Sequence, residues 1–517
     1  MQSEELTQPS PGNLQGDIKA RNEQTLTQRS FKALKWNYLG AFSRVGLQFV
    51  IGVVLARLLG PEPFGLVALA SLVLGLGALF ADFGMASALI QRQEITARDI
   101  RYVFTLQSLI GLALTISLEL TAGPIADFFK RPDAVPVLQA LFLLFCIQGL
   151  GQTASALLRR NLDFRRLQLA QIVSYLFGFV VLGLPLAFYG LGVWSLVVAQ
   201  LSQALFCTLL TYGMIRHPIM PNLRSEDHSF LHFGLKVTAT NLSNWGLACL
   251  DSVVLGRVFG TIQLGLYNRA FSLVGMPTYN IVSSLQSVLL SASARVQDDK
   301  ERLRQTYLGA LGIIGFICLP MFFVVAVIPE TVITGVYGNK WLAAVTLLTP
   351  LALAMPCSAL MGLGGPLMTG MGKVGYEMRI QFTSLILFVP LLWWASGYSI
   401  ETVAWSVFVS YALRFVLVTH VTLGLLQASW RSVVDVLTGP VVLATICAAL
   451  VFVLDKALIV VALPDALRLT FVGCIAAIVA ILGFMLGQKW LMSKPVAQFL
   501  RQIAPSLPGY LRRLIVV

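Results

Sequence analysis

The chain has 517 residues, of which 57% are hydrophobic and only 12% are charged, and its formal net charge at pH 7 is +13. Soluble domains carry about 25% charged residues, so this composition excludes a soluble globular protein. Apolar runs of about 20 residues, long enough to cross a hydrocarbon core of about 30 Å, recur along almost the whole chain. The composition therefore predicts an all-α polytopic membrane protein.

The apolar runs predict fourteen membrane-spanning helices after a polar segment at 1–30, which we expect to be a disordered cytoplasmic tail. In chain order the predicted spans are 36–59, 63–90, 100–122, 135–157, 166–189, 192–215, 230–259, 263–292, 303–329, 341–369, 376–396, 402–426, 436–461 and 467–488. We group the first six in an N-lobe (31–220), the next six in a C-lobe (221–430) and the last two in 431–490. A cytoplasmic tail is expected at 491–517.

Basic residues concentrate in every second predicted loop. The loops on the opposite side hold only Lys130, Arg131, Lys340, Lys456 and Arg468. This bias follows the positive-inside rule and predicts that both termini are cytoplasmic. The positive net charge therefore reflects topology and attraction to anionic lipid, and we expect no nucleic-acid partner.

The predicted loops are short, such as GPEPFG after the first span, so no extramembrane domain is expected that could house catalysis. The seven cysteines lie in apolar runs without metal-ligand spacing, and the four histidines form no cluster. We therefore expect no enzymatic activity, no catalytic residue, no metal and no cofactor.

One sequence motif occurs twice, 200 positions apart. VVLARLLGPEPFGL at 53–66 is matched by VVLGRVFGTIQLGL at 253–266, with identity at Val53, Val54, Leu55, Arg57, Gly60, Gly65 and Leu66. Internal repeats indicate architecture. Six spans separate the two copies, so the two lobes should be related by an axis along the membrane normal, with the substrate path between them. We interpret Arg57 and Arg257, the arginines of this outer hairpin motif, as side chains that extend to the lipid headgroups.

Six charged residues fall within or just inside the predicted spans: Arg44, Asp82, Lys236, Asp251, Arg269 and Arg414. A charge at the bilayer centre costs about 2.5–3.5 kcal/mol on the insertion scale, so such residues face a polar interior or a partner. We interpret Asp82 and Asp251 as members of ion pairs, structural or coupling, within the two hairpins that carry Arg44 and Arg269.

The cations in the spans outnumber the anions, and that surplus suits an anionic head group. Guanidinium groups donate bidentate hydrogen bonds to phosphate. Arg44 and Arg269 are the first candidates for substrate binding, followed by Lys236 and Arg414.

Several segments resemble one known family. LARLLGPEPFG, ADFGMASALIQR (81–92), IADFFKRPD (125–133), LLRRNLDFRRL (157–167), GLYNRAFSLVGMP (265–277) and SASARVQDDKERLRQTYL (291–308) are similar to the polysaccharide transport family. Its members are the Wzx-like flippases of lipid-linked oligosaccharide repeat units, within the multidrug/oligosaccharidyl-lipid/polysaccharide exporter superfamily. The resemblance extends from about residue 30 to 430.

The resemblance implies a two-lobed helical bundle with a central cationic cavity that opens alternately to the cytoplasm and the periplasm. The implied cargo is an undecaprenyl-pyrophosphate-linked glycan, moved outward across the bacterial inner membrane for exopolysaccharide or lipopolysaccharide assembly. The cavity arginines of such flippases correspond to Arg44 and Arg269. Membrane lipid, a polysaccharide polymerase and chain-length proteins are the other implied partners.

Two alternatives remain open from the sequence. A cation-coupled multidrug or ion antiporter of the same superfamily would rely on acidic residues in the membrane, and the chain offers mainly Asp82 and Asp251. A membrane glycan polymerase or ligase would need a long outer loop with catalytic residues, whereas the longest predicted outer loop has about a dozen residues.

Overall fold

The protein is described here by a computed structural model that covers residue 36 and residues 39–82, 85, 89–90, 95–222, 245–246, 248–295, 299–461, 463–486 and 492–503. All regular elements in these ranges are helical. Twelve helices of the described chain are long and apolar enough to cross a membrane. The predicted all-α polytopic fold is therefore confirmed. The count of fourteen stays a prediction, because much of the predicted seventh span lies outside these ranges. The helix Thr261–Arg295, which corresponds to the predicted eighth span, is not among the twelve.

The helices of the first half follow the predicted spans closely. They are α1 (Leu39–Leu59), α2 (Pro61–Asp82), α3 (Ala97–Phe128), α4 (Val135–Arg160), α5 (Phe164–Tyr175), α6 (Leu184–Phe188) and α7 (Val193–Ile215). A 3-10 turn at Pro132–Ala134 precedes α4, and a π-helical segment at Leu176–Gly183 joins α5 to α6. The predicted span 166–189 is thus one helical stretch that changes from α-helix to π-helix and back to α-helix.

The helices of the second half depart from the prediction between the predicted spans 303–329 and 341–369. They are α8 (248–258), α9 (Thr261–Arg295), α10 (Lys300–Val327), α11 (Pro329–Tyr337), α12 (Val345–Met361), α13 (Gly364–Gly370), α14 (Val374–Ser396), α15 (Ile400–Leu426), α16 (Trp430–Val460), α17 (Asp465–Leu486) and α18 (Lys494–Ile503). The stretch between α10 and α12, expected to be a loop, contains the short α11 and a 3-10 turn at Asn339–Ala344.

Polar side chains at the helix starts explain several boundaries. Thr96 and Asp99 form a capping box at the start of α3, in which each side chain accepts a hydrogen bond from the other residue's backbone amide. The side chains of Asp163, Asp299 and Ser399 accept the amide hydrogens that α5, α10 and α15 leave unpaired in their first turns. These caps lie in the loops, where the apolar pattern alone does not define a boundary.

The described chain separates into two compact units. The first contains the described residues within 1–59 and 70–246, and the second contains residues 60–69 together with the described residues within 247–517. The beginning of α2 therefore packs with the second unit, although it follows α1 directly in sequence.

The repeated motif explains why residues 60–69 pack with the second unit. Gly60 and Gly260 both adopt positive φ, +80° and +85°, and so make the sharp turns before α2 and α9. Beyond them, Gly65 and Gly265 face each other. A Cβ at Gly265 would lie 2.5 Å from the carbonyl oxygen of Pro61, and a Cβ at Gly65 would overlap the carbonyl oxygen of Thr261. Equivalent residues of the two copies thus exchange equivalent contacts, and only glycine permits the approach.

The second unit also contains a buried polar group that sequence reasoning had placed in an outer loop. Arg468 of α17 pairs with Asp455 of α16 at 3.3 Å and with Asp465 at 3.3 Å. Thr331 of α11 donates a 2.7 Å hydrogen bond to Asp455. Arg468 and Asp455 are 7% and 5% exposed, so this group ties α11, α16 and α17 together inside the protein rather than in solvent.

The predicted C-terminal tail 491–517 begins with a packed helix. Val496 and Phe499 of α18 lie against Gly309 and Gly312 of α10, where a Cβ on either glycine would collide with their side chains. The small residues of α10 therefore form the surface on which α18 rests.

Candidate functional site: a polar cavity in the first unit

A cavity of about 400 Å³ lies among α1, α4, α5 and α7 of the first unit. Its volume falls within the usual range of small-molecule sites, roughly 300–1,000 Å³. Six glutamines, two arginines and several small polar residues dominate the lining, which comprises Arg44, Gln48, Leu144, Gln148, Gly151, Gln152, Ser155, Arg159, Gln171, Gln200, Gln203, Ala204, Cys207, Thr208 and Thr211.

Helix geometry brings these side chains to one place. Gln148 and Gln152 are four residues apart on α4, and Gln200 and Gln203 are three residues apart on α7, so each pair lies on one helix face. Close helix packing holds the walls in position. A Cβ at Gly178, in the π-helical segment, would lie 2.5 Å from the Ala199 carbonyl oxygen and 2.8 Å from the Cβ of Gln203. The cavity is thus built on closely packed helices rather than on loops.

Arg44 is the predicted substrate residue that the structure places in this cavity. Its Nη1 donates a 2.5 Å hydrogen bond to Oε1 of Gln171. Its Nε is shielded from solvent by protein and has no hydrogen-bond partner in the part of the chain that the structure describes. The amide of Gln171 therefore orients the Arg44 guanidinium.

Arg44 and Arg159 carry the charge of the cavity lining. No aspartate or glutamate is found among the described residues that line it.

Arg269 lies in the second unit and has a different environment. Its guanidinium carbon is 3.8 Å from the ring centroid of Phe64, in a cation–π contact. The Tyr337 hydroxyl donates a hydrogen bond to the backbone carbonyl oxygen of Arg269 at 3.5 Å. Phe64 and Tyr337 both contact the fully buried Trp341. Arg269 thus sits in an aromatic cluster next to the turns of the repeated motif.

Arg414 lines a smaller cavity of about 150 Å³ in the second unit, together with Gln286, Glu377 and Gln381. Its Nε, like that of Arg44, is shielded from solvent and has no partner within the described ranges. A carboxylate shares this cavity, so its charge is balanced. Lys236, the fourth predicted substrate residue, lies outside the described residues.

The predicted pair between Asp251 and Arg269 is not formed. The Asp251 carboxylate accepts hydrogen bonds from the Tyr267 hydroxyl at 2.5 Å and from the Ser252 amide at 2.7 Å. Tyr267 and Arg269 are two residues apart on α9, about 200° around the helix, so they point to opposite sides. The hydroxyl, not the guanidinium, therefore reaches Asp251.

The remaining predicted residues are placed as follows. Asp82 ends α2, and its side chain lies outside what the structure describes, so a pair with Arg44 stays a prediction. Arg57 is exposed and Arg257 is half-buried, at the ends of the helices that precede the glycine turns. Neither lines a cavity described above.

Sequence reasoning missed the six glutamines, because it considered only the charges in the spans. Their spacing was a usable signal. Uncharged amides recur at three- and four-residue intervals in α4 and α7, inside runs that are otherwise apolar. A separate cavity of about 650 Å³ in the second unit, among α10, α11, α16 and α17, has an apolar lining and offers no comparable polar groups.

Comparison with known proteins places the chain in a family. The family model described as "Polysaccharide biosynthesis protein" matches residues 54–346. The lipopolysaccharide biosynthesis protein WzxC of Escherichia coli (strain K12) is 26% identical over 371 residues, covering 71% of this chain and 75% of that protein. The succinoglycan biosynthesis transport protein ExoT of Rhizobium meliloti (strain 1021) is 27% identical over 357 residues, covering 68% of this chain and 70% of that protein.

Solved structures share the fold. The lipid II flippase MurJ in an inward closed conformation matches with a TM-score of 0.67 and 14% identity, covering 90% of this chain and 99% of that one. An inward-facing multidrug resistance transporter of the MATE family matches with a TM-score of 0.58 and 18% identity, covering 74% and 96%. The resemblance found in the sequence motifs is thereby confirmed, and the chain belongs to the polysaccharide biosynthesis protein family.

Proposed function

We propose that the protein is a flippase that moves undecaprenyl-pyrophosphate-linked oligosaccharide repeat units from the cytoplasmic to the periplasmic leaflet of the bacterial inner membrane. It would do so by alternating access through a cationic cavity, with both termini cytoplasmic, to supply exopolysaccharide or lipopolysaccharide assembly. The names of WzxC and ExoT, and of MurJ among structures of the same fold, support this function.

The observation that carries the proposal is the polar cavity of the first unit. Its two arginines, with no acidic side chain among the described residues of its lining, suit a pyrophosphate-bearing cargo. Pyrophosphate and sugar groups cannot cross hydrocarbon alone, because each polar group that loses its hydrogen bonds costs several kcal/mol. A water-accessible polar surface replaces those bonds, and no covalent step is needed. A cationic drug would find no counter-charge among the described residues that line this cavity.

The test is reconstitution of the full chain in liposomes with a fluorescent undecaprenyl-pyrophosphate oligosaccharide. The measured quantity is the rate at which the label becomes accessible on the far leaflet. We expect Arg44→Glu and Arg269→Glu to abolish that rate. Arg166→Glu is the matched control, because Arg166 is a largely exposed arginine whose ion pair with Asp163 is also exposed. It should transport like the wild type.

Two results would count against the proposal. Normal transport by both Arg44→Glu and Arg269→Glu would refute the cationic mechanism. Efflux of organic cations by the wild type, without lipid translocation, would refute the flippase function and favour the antiporter.

A further inference from the structure

The glutamines of the first-unit cavity are half-buried or exposed, whereas Gln107 of α3 in the same unit is buried. Gln107 of α3 accepts a 2.7 Å hydrogen bond from the Thr153 hydroxyl, so its carbonyl is satisfied inside the protein. In contrast, the amides of Gln48, Gln148, Gln152, Gln200 and Gln203 have no protein hydrogen bond in the described part of the chain. Their polar groups are directed to the cavity rather than to the helix bundle.

A half-buried or exposed amide without a protein partner is open to hydrogen bonds from water or from a ligand. The amides on α1, α4 and α7, together with Gln171 on α5, thus line one space in which polar groups of a ligand can replace water.

The chemistry of a primary amide identifies the ligand class. Each amide offers a carbonyl acceptor and two N–H donors, and each sugar hydroxyl both donates and accepts. A ring of amides therefore matches a hydroxyl-rich ring, whereas a phosphate, which only accepts, would leave the amide carbonyls unpaired. Arg44, oriented by Gln171, lines the same cavity and places a guanidinium beside the amides.

We propose that this cavity is a glycan-recognition site, which binds the first sugar residues of the lipid-linked oligosaccharide through Gln48, Gln148, Gln152, Gln171, Gln200 and Gln203. The proposal rests on the proposed flippase function and deepens it. It assigns selection of the cargo's carbohydrate to the first unit, and it makes neutral amides rather than charges the source of that selection.

The experiment measures binding of two lipids to the purified full chain in nanodiscs by microscale thermophoresis. One probe is the lipid-linked oligosaccharide fraction extracted from the bacterium that expresses the protein. The other is undecaprenyl pyrophosphate prepared by chemical synthesis. The variants are Gln152→Leu, Gln203→Leu and their combination, and the matched control is Gln139→Leu, because Gln139 lies on α4 outside the cavity lining.

We expect the wild type and Gln139→Leu to bind the glycosylated lipid more tightly than undecaprenyl pyrophosphate. Each cavity variant should lose about fivefold of that preference for every hydrogen bond removed, at unchanged affinity for undecaprenyl pyrophosphate. Unchanged affinity for the bare lipid also shows that the variant is folded.

Two outcomes overturn the inference while leaving the flippase function standing. These are an undiminished preference in the double variant, and equal affinity of the wild type for both lipids. If the wild type binds neither lipid, the proposed function fails and the glycan site fails with it.

Discussion

The reciprocal contact between Gly65 and Gly265 yields a quantitative prediction for Gly65→Ala. The new methyl group would overlap the Thr261 carbonyl oxygen and lie close to the Ile262 amide nitrogen, at 3.3 Å. Both are backbone atoms, which cannot rotate away as the end of a side chain can. Overpacking of this kind costs about 1–3 kcal/mol, and we expect the upper end here. The better helix propensity of alanine returns about 1 kcal/mol, so the net loss should be about 2 kcal/mol.

The assay is thermal unfolding of the detergent-solubilised protein, followed by tryptophan fluorescence. Gly123→Ala is the matched control, because Gly123 lies inside α3 and a Cβ there meets nothing within 4 Å. It should be neutral or slightly stabilising, so the two variants should differ by about 3 kcal/mol, or several degrees in Tm. Gly65→Ala and Gly265→Ala should also be non-additive, since they separate the same two helices. Equal Tm values for Gly65→Ala and Gly123→Ala would refute the close-approach argument.

Three further predictions concern other parts of the protein. Arg468→Leu should lower the free energy of unfolding by about 3–5 kcal/mol because it leaves the buried Asp455 carboxylate uncompensated, and adding Asp455→Leu should recover much of that loss in thermal unfolding. A double-mutant cycle of Arg269→Met and Phe64→Leu should give a coupling free energy of about 0.5–2 kcal/mol, measured the same way, because the cation–π contact is lost in either single variant. Burial lowers the pKa of His217, which follows α7, so the unfolded chain binds a proton at this residue more readily than the folded chain. Tm should therefore rise with pH up to about 6.5, the pKa of an unperturbed histidine. His217→Gln should flatten that rise.

The contradicting results are specific for each case. A double Leu variant no more stable than Arg468→Leu would show that the buried pair is not the source of the loss. Additive effects at Arg269 and Phe64 would mean that the ring and the guanidinium do not interact. A pH profile of His217→Gln identical to that of the wild type would assign the titration to another group.

Much of the fold could be predicted from residue types alone. The bilayer tolerates only helices and closed barrels, so runs of about 20 apolar residues predict helices with little ambiguity. The identity between residues 53–66 and 253–266 correctly located two glycine turns, since Gly60 and Gly260 must accommodate positive φ in any arrangement of the helices. Such features are local, and the sequence alone was sufficient to define them.

The partners of individual side chains could not be predicted from the sequence in the same way. From the sequence, Arg269 was as plausible a partner for Asp251 as any other residue near that turn. The structure shows Tyr267 as the partner, because it lies two residues before Arg269 and so on a different side of α9. The sequence placed Arg468 in a predicted outer loop, whereas the packing of α16 and α17 buries it against Asp455. Both outcomes depend on rotation and depth of helices relative to their neighbours, which hydropathy does not report.

The polar cavity likewise combines features that can be read from the sequence with features that only the packing of the helices determines. Its six glutamines are visible in the sequence as isolated amides in apolar runs, on four separate helices. Their convergence depends on how α1, α4, α5 and α7 cross, with the approach at Gly178 set by the carbonyl of Ala199. Composition and periodicity therefore determine a helical membrane protein with a duplicated hairpin. The three-dimensional packing alone brings Arg44 and the amides around one space, because helix crossings are set by contacts between residues far apart in the chain.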